Sequence, residues 1–265
     1  MILMLMRLIV EITLNSIPPS ATIAKWYREE MIALMGDMRS DVILDVVKPY
    51  RSEIAMDSIL DWMGHVMDSL VDRWQSNLDG LSDRIAKDLV VKSKTHYDKR
   101  LHNMLKKRGF TVGFKPTKYV EDQAQIALEE NIALIKSISN QYLDKVRSAV
   151  WRSIKSGYDL EALVKQLKEI DGVEDRRAKN IARDQCAKIN QAFENARAQE
   201  LGITEAIWVH SSAGKTYRDD HVKANGTRYE IAKGCLISGE YIQPAWKINC
   251  RCRAKMIIEI PDSMA

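Results

Sequence analysis

Residues 181–190 read IARDQCAKIN and residues 249–253 read NCRCR, and these two segments in the last third of the chain are the most informative about its fold. Between them, residues 208–210 read WVH and residues 218–221 read RDDH. The first segment has the pattern of a polar helix, whereas the later ones have the pattern of short strands and turns. This combination predicts a small mixed module at the C-terminus.

The chain before this module has helical periodicity. Apolar residues recur at three- and four-residue steps, and helix-capping residues or glycines separate the runs. Breaks are predicted near Gly80, at Ser139 and at Gly172. We therefore predict an α+β fold, with a mostly α-helical scaffold of long helices followed by a small C-terminal α+β module.

Four segments follow from this pattern. They are an extended N-terminal arm (1–20), an N-terminal helical region (21–115), a central helical region (116–202) and a small C-terminal mixed α/β module (203–265). The apolar start of the arm is too short to span a bilayer, so no membrane anchor is predicted. An apolar arm of this kind is expected to pack on another surface, often that of a neighbouring chain.

Charge is unevenly distributed, although the net charge is only +4. The basic segment, residues 92–118, has nine cations against the single acid Asp98. The cations are Lys92, Lys94, Lys99, Arg100, Lys106, Lys107, Arg108, Lys115 and Lys118. Cations interleaved with aromatic rings suit contact with a phosphate backbone, so this segment is our predicted site for double-stranded DNA. A solvated helix face with a charged cap is the equally weighted alternative.

The polar helix carries repeated amides and charges at positions such as Arg183, Gln185 and Asn190. These side chains predict either a contact face for nucleic acid or protein, or hydrogen bonds that hold the C-terminal module to the helical scaffold. The structural interpretation is favoured, because most side-chain amides in ordered proteins serve structure.

Cysteines suggest a further interpretation. Cys186 lies in the middle of a predicted helix and is expected to be a small buried residue. Cys250 and Cys252 are two apart on a predicted strand, so both thiols should face one side. With Cys235 and His221 they could bind zinc, although the spacing is not that of a standard finger. Reduced buried thiols beside a hydrogen-bonded histidine are the favoured alternative, and the main prediction therefore includes no cofactor.

The sequence Arg218-Asp219-Asp220-His221 allows an enzymatic hypothesis. A carboxylate beside a histidine can hold a divalent metal or orient a general base, as in metal-dependent nucleases. A capped structural turn is the more frequent explanation of such a tetrapeptide. No nucleophile elbow or phosphate-binding loop accompanies it in the sequence.

Several spaced motifs occur together in a characteristic order. They are Glu130-Asn131 to Ile138, Ile181-Ala182-Arg183-Asp184-Gln185 with Lys188 and Asn190, Arg197, Gly202-Ile203, Trp208, Arg218-Asp219 with His221, Gly226, Pro244 and Asn249-Cys250-Arg251-Cys252. This series resembles the phage Mu F-like head morphogenesis (minor capsid) family, most strongly from about residue 131 to residue 258.

The resemblance implies a minor head protein of a tailed bacteriophage or prophage that docks on the portal. It implies a location in the virion, inside the head near the portal, after assembly in the cytoplasm of the bacterial host. Major capsid or scaffolding protein would be additional partners. We expect no enzyme activity and no catalytic residue, with a metal-dependent nuclease or a zinc-stabilised nucleic-acid-binding module as alternatives. The motif residues expected to serve structure are Arg183, Gln185, Lys188, Asn190, Arg218, Asp219, His221, Cys250 and Cys252.

Overall fold

The computed structural model describes residues 9–52, 59–212 and 217–261. Its helices are α1 (Ala21–Val42), α2 (Lys48–Ser52), α3 (Ile59–Lys106), α4 (Lys118–Lys155), α5 (Leu160–Glu200) and α6 (Asp219–Lys223). Its strands are β1 (Ile9–Thr13), β2 (Glu205–Val209), β3 (Arg228–Glu230), β4 (Cys235–Ile237), β5 (Glu240–Ile242) and β6 (Arg253–Pro261). Long helices followed by a small strand-containing module confirm the predicted α+β class.

The long helices continue through all three predicted break points. Gly80 lies inside α3, Ser139 inside α4 and Gly172 inside α5. A glycine in a helix interior costs only about 1 kcal/mol relative to alanine. Leu78 and Ile85, on either side of Gly80, are both 1% exposed. Burial of such flanking residues outweighs the local preference, so the predicted breaks at these positions are wrong.

A π-helical turn, Ile43–Val47, joins α1 to α2. Its last bond runs from the Lys48 N–H to the Ile43 carbonyl oxygen, five residues back. Pro49 follows immediately, and a proline in a regular helix lacks the N–H and clashes with the carbonyl four residues before it. The wider turn lets the chain remain helical through Pro49.

Contacts divide the chain into two compact units. The helical unit contains the described parts of 22–89 and 127–182, and the sheet unit contains those of 1–21, 90–126 and 183–265. Each of the three long helices contributes residues to both units. Each unit combines stretches that are separated in the sequence, whereas the four predicted segments are continuous stretches. The four-segment division therefore stays a prediction.

The helical unit has buried polar contacts between distant parts of the sequence. The Tyr27 hydroxyl donates to Asn131 Oδ1 at 3.1 Å, and the hydroxyls of Tyr50 and Ser153 are 2.8 Å apart. The Arg39 guanidinium lies 3.0 Å from Asp171 Oδ1. These contacts hold α1 and α2 against α4 and α5. None of the described helices is long and apolar enough to cross a membrane.

The sheet unit contains a four-stranded sheet of order β1-β6-β2-β3 and a separate β4–β5 hairpin. Strand β1, from the predicted N-terminal arm, pairs antiparallel with β6, with Ile12 opposite Ile258. This part of the arm therefore packs on a surface of its own chain. Residues 1–8 of the arm lie outside the described part. The hairpin was not predicted, because its two strands have only three residues each.

Candidate functional site

Three metal-ligand side chains converge in the sheet unit. His221, Cys250 and Cys252 are buried, and their ligand atoms all lie within 4.8 Å of one another. His221 Nδ1 is 3.4 Å from Cys250 Sγ and 3.6 Å from Cys252 Sγ. We call this group the Cys-His cluster. Both thiols face one side, as predicted, but Cys250 and Cys252 precede strand β6 and do not lie within it.

A contact with the polar helix α5 holds the turn that carries the two cysteines. Asn249 has a positive φ of 60°, which asparagine tolerates better than most residues. Its backbone N–H donates to Asp184 Oδ1 at 2.6 Å. Lys188 Nζ lies 2.9 Å from Asp184 Oδ2 and balances its charge. The motif residues Asp184, Lys188 and Asn249 therefore position the Cys250 and Cys252 thiols.

His221 lies on the short helix α6 and points into the protein. Its ring packs edge-on against Trp208, with the ring centroids 5.3 Å apart. Nε2 of His221 is buried and has no hydrogen-bond partner among the described residues. The two cysteine sulfurs are therefore the polar neighbours of this imidazole, through Nδ1.

His210 flanks the Cys-His cluster. Its Nδ1 lies 3.7 Å from Cys252 Sγ. The antiparallel register pairs Val209 of β2 with Arg253 of β6, so the next position along the ladder brings His210 opposite Cys252. His210 was not predicted as a site residue, because only this strand pairing brings it close to Cys252.

Cys235 lies apart from the Cys-His cluster, which corrects the predicted zinc set. It is buried in β4. Among the described residues, the group whose ligand atoms are close enough to share one metal ion comprises His221, Cys250 and Cys252, without Cys235. Burial raises the pKa of the Cys235 thiol. Cys186, as expected, is a buried helix residue, and burial raises its pKa to about 12. Both are therefore protonated thiols at neutral pH.

The two thiols of the Cys-His cluster differ in acidity. A hydrogen bond from the Cys252 thiol lowers the pKa of Cys250 to about 5, against the opposing effect of burial. The same hydrogen bond raises the pKa of Cys252. A thiolate, a thiol and an imidazole in contact form a donor set of the kind that soft and borderline metals prefer.

The residues of the nuclease hypothesis do not come together around the imidazole. The Asp220 carboxylate accepts hydrogen bonds from the Ser238 hydroxyl at 3.1 Å and from the His221 backbone N–H at 2.9 Å. Arg218 donates to the Ile248 carbonyl oxygen at 3.1 Å, and Asp219 is exposed in the first turn of α6. Among the described residues, no metal-sized group combines Asp219 or Asp220 with His221. Arg218 and Asp220 act here as residues of a structural turn.

The polar helix α5 forms ties to other segments of the sheet unit. Asn190 Nδ2 donates to the Ile17 carbonyl oxygen at 2.9 Å. Arg197 forms two 2.7 Å bonds to the Asp98 carboxylate. Gln185 is half-buried, and burial lowers the pKa of Arg183, which Arg251 lowers further. These positions support the structural interpretation of the polar helix.

The basic segment spans the end of α3, the following loop and the first residue of α4. Eight of its nine cations are exposed, namely Lys92, Lys99, Arg100, Lys106, Lys107, Arg108, Lys115 and Lys118. Lys94 is half-buried and lies 3.0 Å from Asp98 Oδ2, so part of its charge is already balanced. The predicted DNA-binding residues, apart from Lys94, therefore lie on the surface.

Comparison with known proteins yields two matches. A profile of the family described as Phage Mu protein F like protein matches residues 144–255. An uncharacterised protein of Haemophilus influenzae is 27% identical over 234 residues, which make up 86% of this chain and 51% of that protein. The chain thus spans about half the length of this curated relative. No solved structure matches this chain. The profile confirms the family resemblance and covers the polar helix and the Cys-His cluster, but not the basic segment.

Proposed function

Because the chain carries the phage Mu protein F like region at residues 144–255, we propose that it is a minor capsid protein of a tailed bacteriophage or prophage. It acts in head morphogenesis, docks on the portal inside the head and contacts packaged DNA. The family match carries this proposal. The contacts of the motif residues support it, since Asp184, Asn190 and Arg197 each bind a distant segment of the sheet unit.

An exposed apolar patch offers a surface for the portal. It consists of Leu236, Tyr241, Trp246 and Ile248, which are 56–70% exposed. Leu236 and Tyr241 are cross-strand partners in the β4–β5 hairpin. An ion pair between Lys247 and Glu240 holds the following turn beside β5. Exposed apolar side chains grouped in this way are typical of protein interaction sites.

Binding to the purified portal protein encoded beside this chain tests the docking step. The double variant Trp246→Ser, Ile248→Ser should weaken portal binding by about 30-fold or more, because aromatic anchors of interfaces contribute about 2 kcal/mol or more. The matched control replaces two other exposed apolar residues, Val91→Ser and Ile126→Ser, and should bind normally. Absence of binding by the wild-type chain, or absence of the protein from purified particles, would exclude portal docking.

A groove beside the basic segment supports the DNA contact. Arg100, Asn103, Met104 and Lys107 have the spacing of one helical face. Together with Lys106 and residues 15–18 they line a groove of about 610 Å³. His96, whose Nε2 lies 3.2 Å from the Pro18 carbonyl oxygen, holds the opposite wall in place. Three cations at one edge of a groove suit a phosphate backbone.

Salt-dependent binding to a short DNA duplex tests this contact. The triple variant Arg100→Gln, Lys106→Gln, Lys107→Gln should reduce the slope of log affinity against log salt by about 2.7, since each phosphate contact contributes about 0.9. A control with three exposed lysines of the helical unit changed, Lys155→Gln, Lys165→Gln and Lys168→Gln, should keep the wild-type slope. Equal slopes for both triple variants would exclude the basic segment as the DNA site.

The nuclease hypothesis is tested with the same purified protein. Plasmid is incubated with the protein and magnesium or manganese, with His221→Ala as the control. Metal-dependent cleavage that disappears in His221→Ala would replace the structural function with an enzymatic one.

A further inference from the structure

We propose that Cys250, Cys252, His221 and His210 bind a structural zinc ion that stabilises the strands and turns of the sheet unit. This site is independent of portal and DNA binding. It differs from the set considered from sequence by the replacement of Cys235 with His210.

The distances among the donor atoms suit a tetrahedral ion. With Zn–S bonds of about 2.3 Å and Zn–N bonds of about 2.0–2.1 Å, sulfur and nitrogen ligands of one zinc lie about 3.6 Å apart. The three nitrogen–sulfur distances in the structure are 3.4, 3.6 and 3.7 Å. These nitrogen–sulfur pairs therefore already have the separations that a zinc ion requires. His221, Cys250 and Cys252 form a group whose donor atoms lie within 4.8 Å of one another, whereas His210 lies outside this group, beside Cys252, and would have to move inward to act as the fourth ligand.

The chemistry of the cluster also favours zinc. Two cysteine sulfurs and two imidazoles form a Cys₂His₂ set, a standard combination for structural zinc. Cys250 and Cys252 are each 5% exposed and His221 is 3% exposed. Nε2 of His221 has no partner among the described residues, so the ring is held by its Nδ1 contact with the sulfurs. A metal at Nδ1 would bind this imidazole and both cysteine sulfurs together.

The architecture explains what the ion would stabilise. His210 follows β2, His221 lies on α6, and the two cysteines precede β6. An ion bound to all four would link the end of β2, the five-residue helix α6 and the start of β6. Bound metal adds its binding free energy to folding, because the unfolded chain has no preformed site.

Zinc content of the full chain, purified under reducing conditions, tests this proposal. We expect one zinc per chain by elemental analysis, and an unfolding temperature that falls when a chelator removes the ion. Cobalt in place of zinc should produce the visible absorption of a tetrahedral site with thiolate ligands. This spectrum needs only the wild-type protein, so it is informative even if cysteine variants do not fold.

Three variants test the ligand set. Cys250→Ser should lose stoichiometric zinc. His210→Ala should weaken zinc binding by more than about ten-fold, since loss of even an outer-shell partner has an effect of that size. Cys235→Ser should keep one zinc with unchanged affinity.

Two results would overturn the proposal. One is reduced wild-type protein with no stoichiometric zinc and an unfolding temperature that a chelator does not change. The other is loss of zinc from Cys235→Ser together with full retention in His210→Ala. Neither result depends on portal or DNA binding, so the proposed function is tested separately.

Discussion

Replacement of Arg197 by methionine should destabilise the sheet unit strongly. The Arg197 side chain is 1% exposed and contacts Asp98 and Glu200, whose side chains are 19% and 12% exposed. It also donates to the Lys115 carbonyl oxygen at 3.0 Å and lies 4.7 Å from the centre of the Phe114 ring. This guanidinium therefore links α5 to α3 and to the loop between α3 and α4.

The size of the effect follows from what Arg197→Met leaves behind. Methionine fills a similar volume but leaves the carboxylates of Asp98 and Glu200 without their shared cation. Removing one partner of a buried ion pair costs about 3–5 kcal/mol, and the lost cation–π contact adds about 0.5–1 kcal/mol. A typical free energy of unfolding is only about 5–15 kcal/mol, so the variant should lose a large part of its stability.

Urea unfolding followed by circular dichroism measures this loss. Arg147→Met is the matched control, since Arg147 pairs with Asp68 on the surface, where their side chains are 38% and 67% exposed. That variant should lose at most about 1 kcal/mol. Asp98→Asn should partly restore Arg197→Met, because it removes a carboxylate that then has, among the described residues, only Lys94 as a charged partner. Stability of Arg197→Met within about 1 kcal/mol of the wild type, at about the level of Arg147→Met, would show that Arg197 does not hold these segments together.

Two further variants test burial and backbone geometry. Burial raises the pKa of Glu194 to about 8, so the folded state binds a proton that the unfolded state releases near its ordinary pKa of 4.5. The free energy of unfolding should therefore fall by roughly 3–5 kcal/mol as pH rises from about 4.5 to about 8. Glu194→Gln should remove this fall in unfolding measurements across the same pH range. An identical pH profile for both proteins would contradict it. Gly234 has a φ of +90°, and a Cβ there would lie 2.8 Å from the Ile242 carbonyl oxygen. Gly234→Ala should lower the free energy of unfolding by about 3 kcal/mol in thermal or urea unfolding. Gly226→Ala, with a φ of +86° and open space around the added Cβ, should lower it by only about 1–2 kcal/mol. Equal losses in the two variants would show that the predicted clash is absent.

The positions of the helix ends show where local sequence patterns are insufficient to predict secondary structure. Gly80, Ser139 and Gly172 all have low helix propensity, and each was predicted to end a helix. The preference of one residue amounts to about 1 kcal/mol or less. Buried residues before and after each point contribute more than this, so the helices continue. The β4–β5 hairpin was missed for the related reason that three-residue strands have almost no periodicity of their own.

The fold class, the resemblance to the phage Mu protein F like family and the polar character of α5 could be read from the linear chain, because ordered motifs and helical periodicity are properties of the sequence. It also identified His221, Cys250 and Cys252 as residues with metal-binding chemistry. The position of His210 beside Cys252, and of Cys235 apart from the Cys-His cluster, became visible only in the folded chain. Strand register causes the first of these, since the antiparallel pairing of Val209 with Arg253 brings together side chains 42 residues apart in the sequence.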